Sequence, residues 1–170
     1  MRTHWMMVLG FLGSTGLGGA VQAADRVELS TRVSGVVEEV LVNNGQNVKK
    51  GTVLLRLNKV IYQAQLDEAH ADTERLGAEE AEARRDLDRA QELYSRTVSS
   101  TTELDATKLR YTRAKSALSV ANARLIIAKK NLLDTELKAP FNGVVAILPA
   151  APGVVVAADC QPKVLVVMQR

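Results

Sequence analysis

A single cysteine, Cys160, stands in 170 residues. One cysteine cannot form an internal disulfide, and Cys160 reads as a small residue at the start of a strand. Histidine is almost as scarce, at two. His4, His70, Cys160 and Met168 are far apart and lack the paired spacing of metal ligands, so no metal site is assigned. With His70 the only histidine beyond the N-terminal segment, no Ser/His/Asp set can be assembled. No glycine-rich phosphate loop precedes a helix. The chain is therefore expected to be no enzyme and to carry no cofactor. Aromatics make up 4% of the residues, too few for stacking platforms. The net charge of +3 is spread over mixed signs with no basic tract, which argues against nucleic acid.

Long apolar runs are also missing. Trp5 to Leu17 forms one of about thirteen residues, against the roughly twenty a spanning helix needs. It follows Arg2 and His4 and precedes Val21-Gln22-Ala23, small residues of the kind a signal peptidase reads. Residues 1–23 are expected to be a signal peptide cleaved after Ala23, the alternative being an uncleaved anchor. No cysteine stands directly after the run, which argues against a lipid anchor. The mature chain is expected to be exported.

What is present is a motif written twice. Ser34-Gly35-Val36-Val37 is followed by Gly45 and Gly51; Asn142-Gly143-Val144-Val145 is followed by Gly153 and Asp159. Both copies space these positions by ten residues and then six. Each copy reads as short strands joined by turns. Asn43-Asn44-Gly45 and Lys49-Lys50-Gly51 are turns because glycine supplies positive φ. Strand-like runs follow at Val53–Leu57, Val144–Leu148, Val154–Val156 and Val164–Val167. The two flanks, 24–58 and 137–170, total about 68 residues, a size at which folding alone is marginal. The halves are therefore expected to pair into one sandwich with pseudo-twofold symmetry. Asp159, where the repeat predicts glycine, is its imperfect position.

Residues 59–136 separate the copies and carry helical spacing. Tyr62, Leu66, Ala69, Leu76, Ala83, Leu87, Ala90 and Tyr94 recur at steps of three and four, with Thr73 and Glu80 in series. Leu104, Tyr111, Ala114, Leu118, Ala121, Leu125, Ala128 and Leu132 do so in a second arm, with Thr107 in series. This is the seam of an antiparallel coiled-coil hairpin about 55 Å long. The first arm carries ten acidic residues and the second seven basic ones, so charge is expected to pair the arms. Asn58 is the expected N-cap of the first arm. Ser99-Ser100 breaks the pattern at the tip, and Ser100 with Glu103 forms a capping box for the second arm. Pro140 is expected to end that arm. The fold class is α+β: a split β-sandwich with an inserted helical hairpin.

Here the residues resemble a family. Gly35 to Leu57, Gly-Val-Val through Gly-Gln-Asn-Val-Lys-Lys-Gly-Thr-Val-Leu-Leu-Arg-Leu, resembles the first half of a biotinyl-lipoyl-like domain. Lys138-Ala-Pro-Phe-Asn-Gly-Val-Val145 resembles the second half in split form. A lipoyl-like domain split by an α-hairpin resembles the periplasmic adaptor subunits, or membrane fusion proteins, of the HlyD-like family. The resemblance implies a periplasmic adaptor linking an inner-membrane transporter to a TolC-type outer-membrane channel, working as a homo-oligomer. Adaptors of resistance–nodulation–division pumps carry at the hairpin tip an Arg, a Leu four residues on and a Ser seven further. Arg89, Leu93 and Ser100 match that spacing, and Asp105 also fits. The resemblance makes these three the channel contacts. Taken singly, Ser100 is equally explained by capping, Leu93 by hairpin packing and Arg89 by a solvated charge.

Three alternatives stay open. One is an adaptor of an ATP-driven exporter or a type I secretion system. A second is a biotinyl or lipoyl carrier, which would modify a lysine at the point where the helices are inserted. No Met-Lys-Met or Asp-Lys-Ala triplet occurs, and Lys49 and Lys50 read as solvated loop charges. The third is a coiled-coil scaffold with no transport role, which leaves the split motif unexplained. The family continues past the second half-motif into a β-barrel and a membrane-proximal domain. The expectation is accordingly a short adaptor, a truncated one, or one part of a two-chain adaptor.

Overall fold

The computed structural model describes residues 25–97, 100–158 and 163–170. The expected signal segment, Ser99, Asp159 and Cys160 lie outside the described residues. Eight strands and two helices follow one another as β1 (Arg26–Leu29), β2 (Gly35–Val40), β3 (Asn47–Val48), β4 (Val53–Leu57), α1 (Val60–Ser95), α2 (Thr101–Leu133), β5 (Glu136–Lys138), β6 (Gly143–Ile147), β7 (Val155–Val156) and β8 (Val166–Gln169).

The strands form two antiparallel four-stranded sheets, ordered β1-β8-β6-β3 and β5-β4-β2-β7. The two halves of the repeat interlock across these sheets. Strand β2 of the first half pairs with β7 of the second, Gly35 opposite Val156 and Val36 opposite Val155. Strand β6 pairs with β3 in the equivalent register, Gly143 opposite Val48 and Val144 opposite Asn47. The bonds beyond the strands repeat too. Gly45 N–H donates to Val145 O and Gly153 N–H to Val37 O, each at 2.8 Å. The Ser34 hydroxyl accepts from the Ala158 amide at 2.9 Å, and the Asn142 Oδ1 from the Lys50 amide at 2.7 Å. These bonds of one half have their counterparts in the other, as the expected pseudo-twofold symmetry requires.

The repeat is not uniform in what its glycines do. Gly45, Gly51 and Gly153 hold φ of 79°, 87° and 85°, where a side chain is strained. Gly143 is instead the first residue of β6. A Cβ there would stand 2.3 Å from the Gln169 carbonyl oxygen, so close backbone approach requires glycine. Leu54, Leu55, Leu57, Val37, Val145, Val156, Leu165, Val166 and Met168 fill the space between the sheets and are fully buried. Strand β8 starts two residues later than the expected Val164 and runs on to Gln169.

The hairpin departs from expectation in four ways. The second arm ends at Leu133, not at Pro140. Strand β5 pairs Glu136 with Arg56 and Lys138 with Val53, and this sheet pairing claims the chain before proline can act. The β-domain thus resumes at Glu136, one residue before the expected 137. The N-cap position of α1 is Lys59, which makes no side-chain cap. Asn58 precedes it, its Oδ1 accepting from the Val60 amide at 3.2 Å. Ser100 is the N-cap of α2 and accepts from the Glu103 amide at 3.2 Å; among the described residues the Glu103 carboxylate makes no return bond. Finally, the arms are not held by opposite charge. Arg75–Asp72, Arg75–Glu79, Arg96–Glu92 and Lys108–Asp105 are all within one helix. Among the described residues only Arg110–Asp86, at 3.8 Å, crosses between arms. Residues three or four apart on a helix already face one another, so local pairing wins.

The seam itself is as expected. Ala83, Ala90, Leu104, Thr107, Ala121 and Ala128 are buried along it, with Gly77 facing Leu118. Thr107 satisfies its hydroxyl by donating to the Leu104 carbonyl at 2.9 Å. At the base the hairpin is tied to the sandwich. The Tyr62 hydroxyl donates to the Ser34 carbonyl at 2.6 Å, and the Leu57 amide to the Thr135 carbonyl at 2.8 Å. Arg56 bridges Glu39 at 2.5 Å and Glu136 at 3.3 Å. Hydrogen bonding from Lys138, with the nearby Arg56 charge, holds the Glu136 carboxyl below the usual carboxylate range.

Candidate functional site at the hairpin tip

The far end of the hairpin carries the sequence-predicted residues. Arg89 and Leu93 are one helical turn apart on α1 and so share a face. Leu93 is 47% exposed and lies off the seam, which overturns the reading of it as ordinary hairpin core. Arg89 points to solvent and pairs with Asp86, the same carboxylate that reaches Arg110 of α2. Its guanidinium is thereby steadied without being buried. Ser100 opens α2 on the other side of the turn, and its hydroxyl oxygen is engaged by the Glu103 amide. A hydroxyl accepting one bond can still donate another outward. Asp105 pairs with Lys108 at 3.6 Å.

Two further tip residues escaped the sequence reading. Tyr94 belongs to the seam series but is 43% exposed, so the last seam position before the turn opens to solvent beside Leu93. Its place in the series hid it. Thr97 follows the C-cap Arg96 with φ of 63°. The position after a helix C-cap commonly turns left-handed and favours glycine; a β-branched residue there is strained. Nothing in the sequence pattern signals it.

Leu93 and Tyr94 are exposed apolar side chains at the tip end of α1, Leu93 on the face that carries Arg89; no described contact brings Ser100 to them. Exposed apolar side chains of this kind can pack against another protein, and an exposed guanidinium or hydroxyl can hydrogen-bond to it. Among the described residues no three His, Cys, Asp or Glu side chains gather as a metal site. No described helix is long and apolar enough to cross a membrane. Lys49 and Lys50, the lysines weighed for a carrier role, are exposed in the turn between β3 and β4.

Comparison with known proteins agrees with the split architecture. Residues 25–167 match the model of the CzcB-like barrel-sandwich hybrid domain. The chain is 32% identical over 151 residues to the efflux pump periplasmic linker BepF of Brucella suis, covering 89% of this chain and 37% of that protein. It spans a little over a third of the length of the curated relatives it matches first. Its fold is similar to the membrane fusion protein Spr0693 of Streptococcus pneumoniae, with a TM-score of 0.64 at 19% identity over 85% of this chain and 59% of that one. It is also similar to the soluble domain of LipC, a membrane fusion protein of a type I secretion system. There the TM-score is 0.55 at 13% identity, over 85% of this chain and 98% of that one.

Proposed function

This chain belongs to the family of CzcB-like barrel-sandwich hybrid domains, and from that premise we propose that it is the channel-facing part of a periplasmic efflux adaptor. The observation that carries the proposal is the place of the insertion. The helices α1 and α2 leave the sandwich between β4 and β5, where a carrier domain would present its modified lysine. Chemistry at that point is replaced by reach: 36 and 33 residues of helix extend the tip on the order of 50 Å from the sandwich. The likeness to the periplasmic linker BepF supports the compartment and the role.

In this reading several copies stand side by side, sandwiches forming a ring and hairpins a tube. Leu93 packs on the periplasmic end of a TolC-type channel, and Arg89 and Ser100 hydrogen-bond at its margin. The partner at the other end is an inner-membrane transporter, with the resistance–nodulation–division class favoured by the Arg89, Leu93 and Ser100 spacing. The domain division proposed is a signal peptide at 1–23, the sandwich at 24–58 and from 136 onward, and the hairpin between them.

The test is a cross-link in living cells. Ser100→Cys, in a Cys160→Ala background, should cross-link to the channel protein in the periplasm. Arg89→Ala combined with Leu93→Ala should lower both cross-linking and efflux. Full efflux in the double variant with no cross-link from position 100 would remove the proposal. LipC favours one second reading, an adaptor of a type I secretion system. The transporter that co-purifies with the chain decides between them. A lipoyl or biotinyl mass on any lysine would point instead to a carrier.

A further inference from the structure

The hairpin leaves one end of the sandwich, where β4 finishes at Leu57 and β5 begins at Glu136. The opposite end is built where β4 starts and β5 stops, Val53 facing Lys138. There the Gly51 amide donates to the Ala139 carbonyl and the Lys50 amide to the Asn142 Oδ1. The Arg170 guanidinium lies 4.9 Å from the centre of the Phe141 ring, and the Arg170 amide donates to the Asp25 carbonyl. Arg26 stands opposite Gln169 in the ladder. These contacts gather Arg26, Lys49, Lys50, Lys138 and Arg170 at the end farthest from the tip, all of them exposed. The stretches that build this end, 25–26, 47–51, 138–143 and 169–170, hold one acidic side chain, that of Asp25. Lys138 pairs with Glu136. Among the described residues Arg26, Lys49, Lys50 and Arg170 form no ion pair.

The fold does not call for this charge. In the second half of the repeat Ala157 and Ala158 stand where the first half has Lys49 and Lys50. The Ala158 amide makes to Ser34 the bond that the Lys50 amide makes to Asn142, so the turn forms equally well without lysine. At the hairpin end the charges are matched instead, Arg56 lying between Glu39 and Glu136. The basic end is also poor in apolar surface: none of the large exposed apolar side chains falls in its four stretches. A protein interface centres on apolar anchors that become buried. An exposed cluster of cations without such anchors suits a diffuse anionic surface. The chain reaches this end from a membrane-directed segment. Residues 18–24 separate the apolar run Trp5–Leu17 from Asp25, a reach of at most about 25 Å. As a signal peptide the run brings this end to the inner membrane during export; as an uncleaved anchor it keeps it there.

We propose that this end of the sandwich rests on an anionic phospholipid surface, with Arg26, Lys49, Lys50 and Arg170 against the headgroup phosphates. This rests on the adaptor reading only in naming the membrane as the one opposite the channel; the contact residues come from placement, exposure and charge.

The test sediments the full chain with vesicles of phosphatidylcholine alone and with vesicles in which phosphatidylglycerol replaces about a third of it. Residues 1–23, where retained, add to both alike. Binding should be about a hundredfold tighter with phosphatidylglycerol and should fall toward the phosphatidylcholine value as salt rises to about 1 M. Lys49→Ala with Lys50→Ala should weaken it about thirtyfold, as should Arg26→Ala with Arg170→Ala, whereas Lys49→Arg with Lys50→Arg should keep it. Arg124→Ala with Lys129→Ala, on the hairpin, should leave it unchanged. Equal binding to both vesicles would overturn the proposal, as would a loss in the hairpin variant and none in the lysine variant. So would a chain that ignores both vesicles while an acidic protein from membrane extracts binds it through Lys49 and Lys50. A Ser100→Cys cross-link to the channel that persists without vesicle binding would remove this inference and leave the adaptor reading standing.

Discussion

The sandwich and the hairpin are held together by different means. The sandwich is small, yet its halves exchange strands and bond pair for bond pair, and nine large side chains are fully buried between its sheets. The hairpin is long, but the side chains fully buried along its seam are mostly alanine and only one described ion pair crosses it. One region gains cooperativity from contacts about a hundred residues apart in sequence. The other is nearly a sum of local turns, each leaning on the next. A rigid base with a slender, locally stabilised arm suits a part that must reach and be positioned by what it meets.

Substitutions should separate the two regions, the sandwich responding most. Leu54→Ala removes a fully buried side chain and should cost about 2–5 kcal/mol, most of what a domain of this size has. Chemical denaturation should show the loss in one cooperative step. Gly143→Val should be as severe, since no relaxation of a side chain can move the Gln169 carbonyl away. Overpacking the seam at its tightest alanine comes next: Ala121→Leu should cost about 1–3 kcal/mol and lower helical circular dichroism while the sandwich stays folded. A loss of both together would break the proposed independence of the regions.

Smaller effects sharpen the comparison further. Ser34→Ala and Asn142→Ala each delete one of two equivalent bonds and should each cost about 0.5–1.5 kcal/mol. A large inequality between them would show the symmetry to be of shape alone. Smallest is the base. The Glu136 carboxyl is held below its usual range by Lys138 and Arg56. Its contribution is complete above the ordinary carboxylate range and disappears as pH falls through the lowered value. Glu136→Gln should therefore cost about 0.2–1 kcal/mol at neutral pH and nothing in strong acid, measured as denaturation midpoints against pH.

How much of this was legible in the sequence follows the same division. The repeat of Gly35 and Gly143 foretold the interlocked halves because identical spacing demands equivalent turns. The second-arm seam, Leu104 to Leu132, was visible because its period is local. Ser100 was visible as a cap for the same reason. What escaped depends on competition between neighbours. Pro140 looked like the stop of α2, but β5 had already paired with β4. The charge difference between the arms looked like glue between them, but pairs three and four residues apart satisfied it first. Tyr94 kept the period while leaving the seam, and the strained turn at Thr97 leaves no mark in composition.

The central claim is that the hairpin acts through its length. Deleting Thr73–Glu79 and Ser116–Asn122 together removes one heptad from each arm at the same level, leaving the seam in register and the tip intact. The arm shortens by about 10 Å. With Ser100→Cys as the reporter, the account predicts a folded chain whose tip no longer cross-links to the outer-membrane channel; undiminished cross-linking from the shortened arm would contradict it.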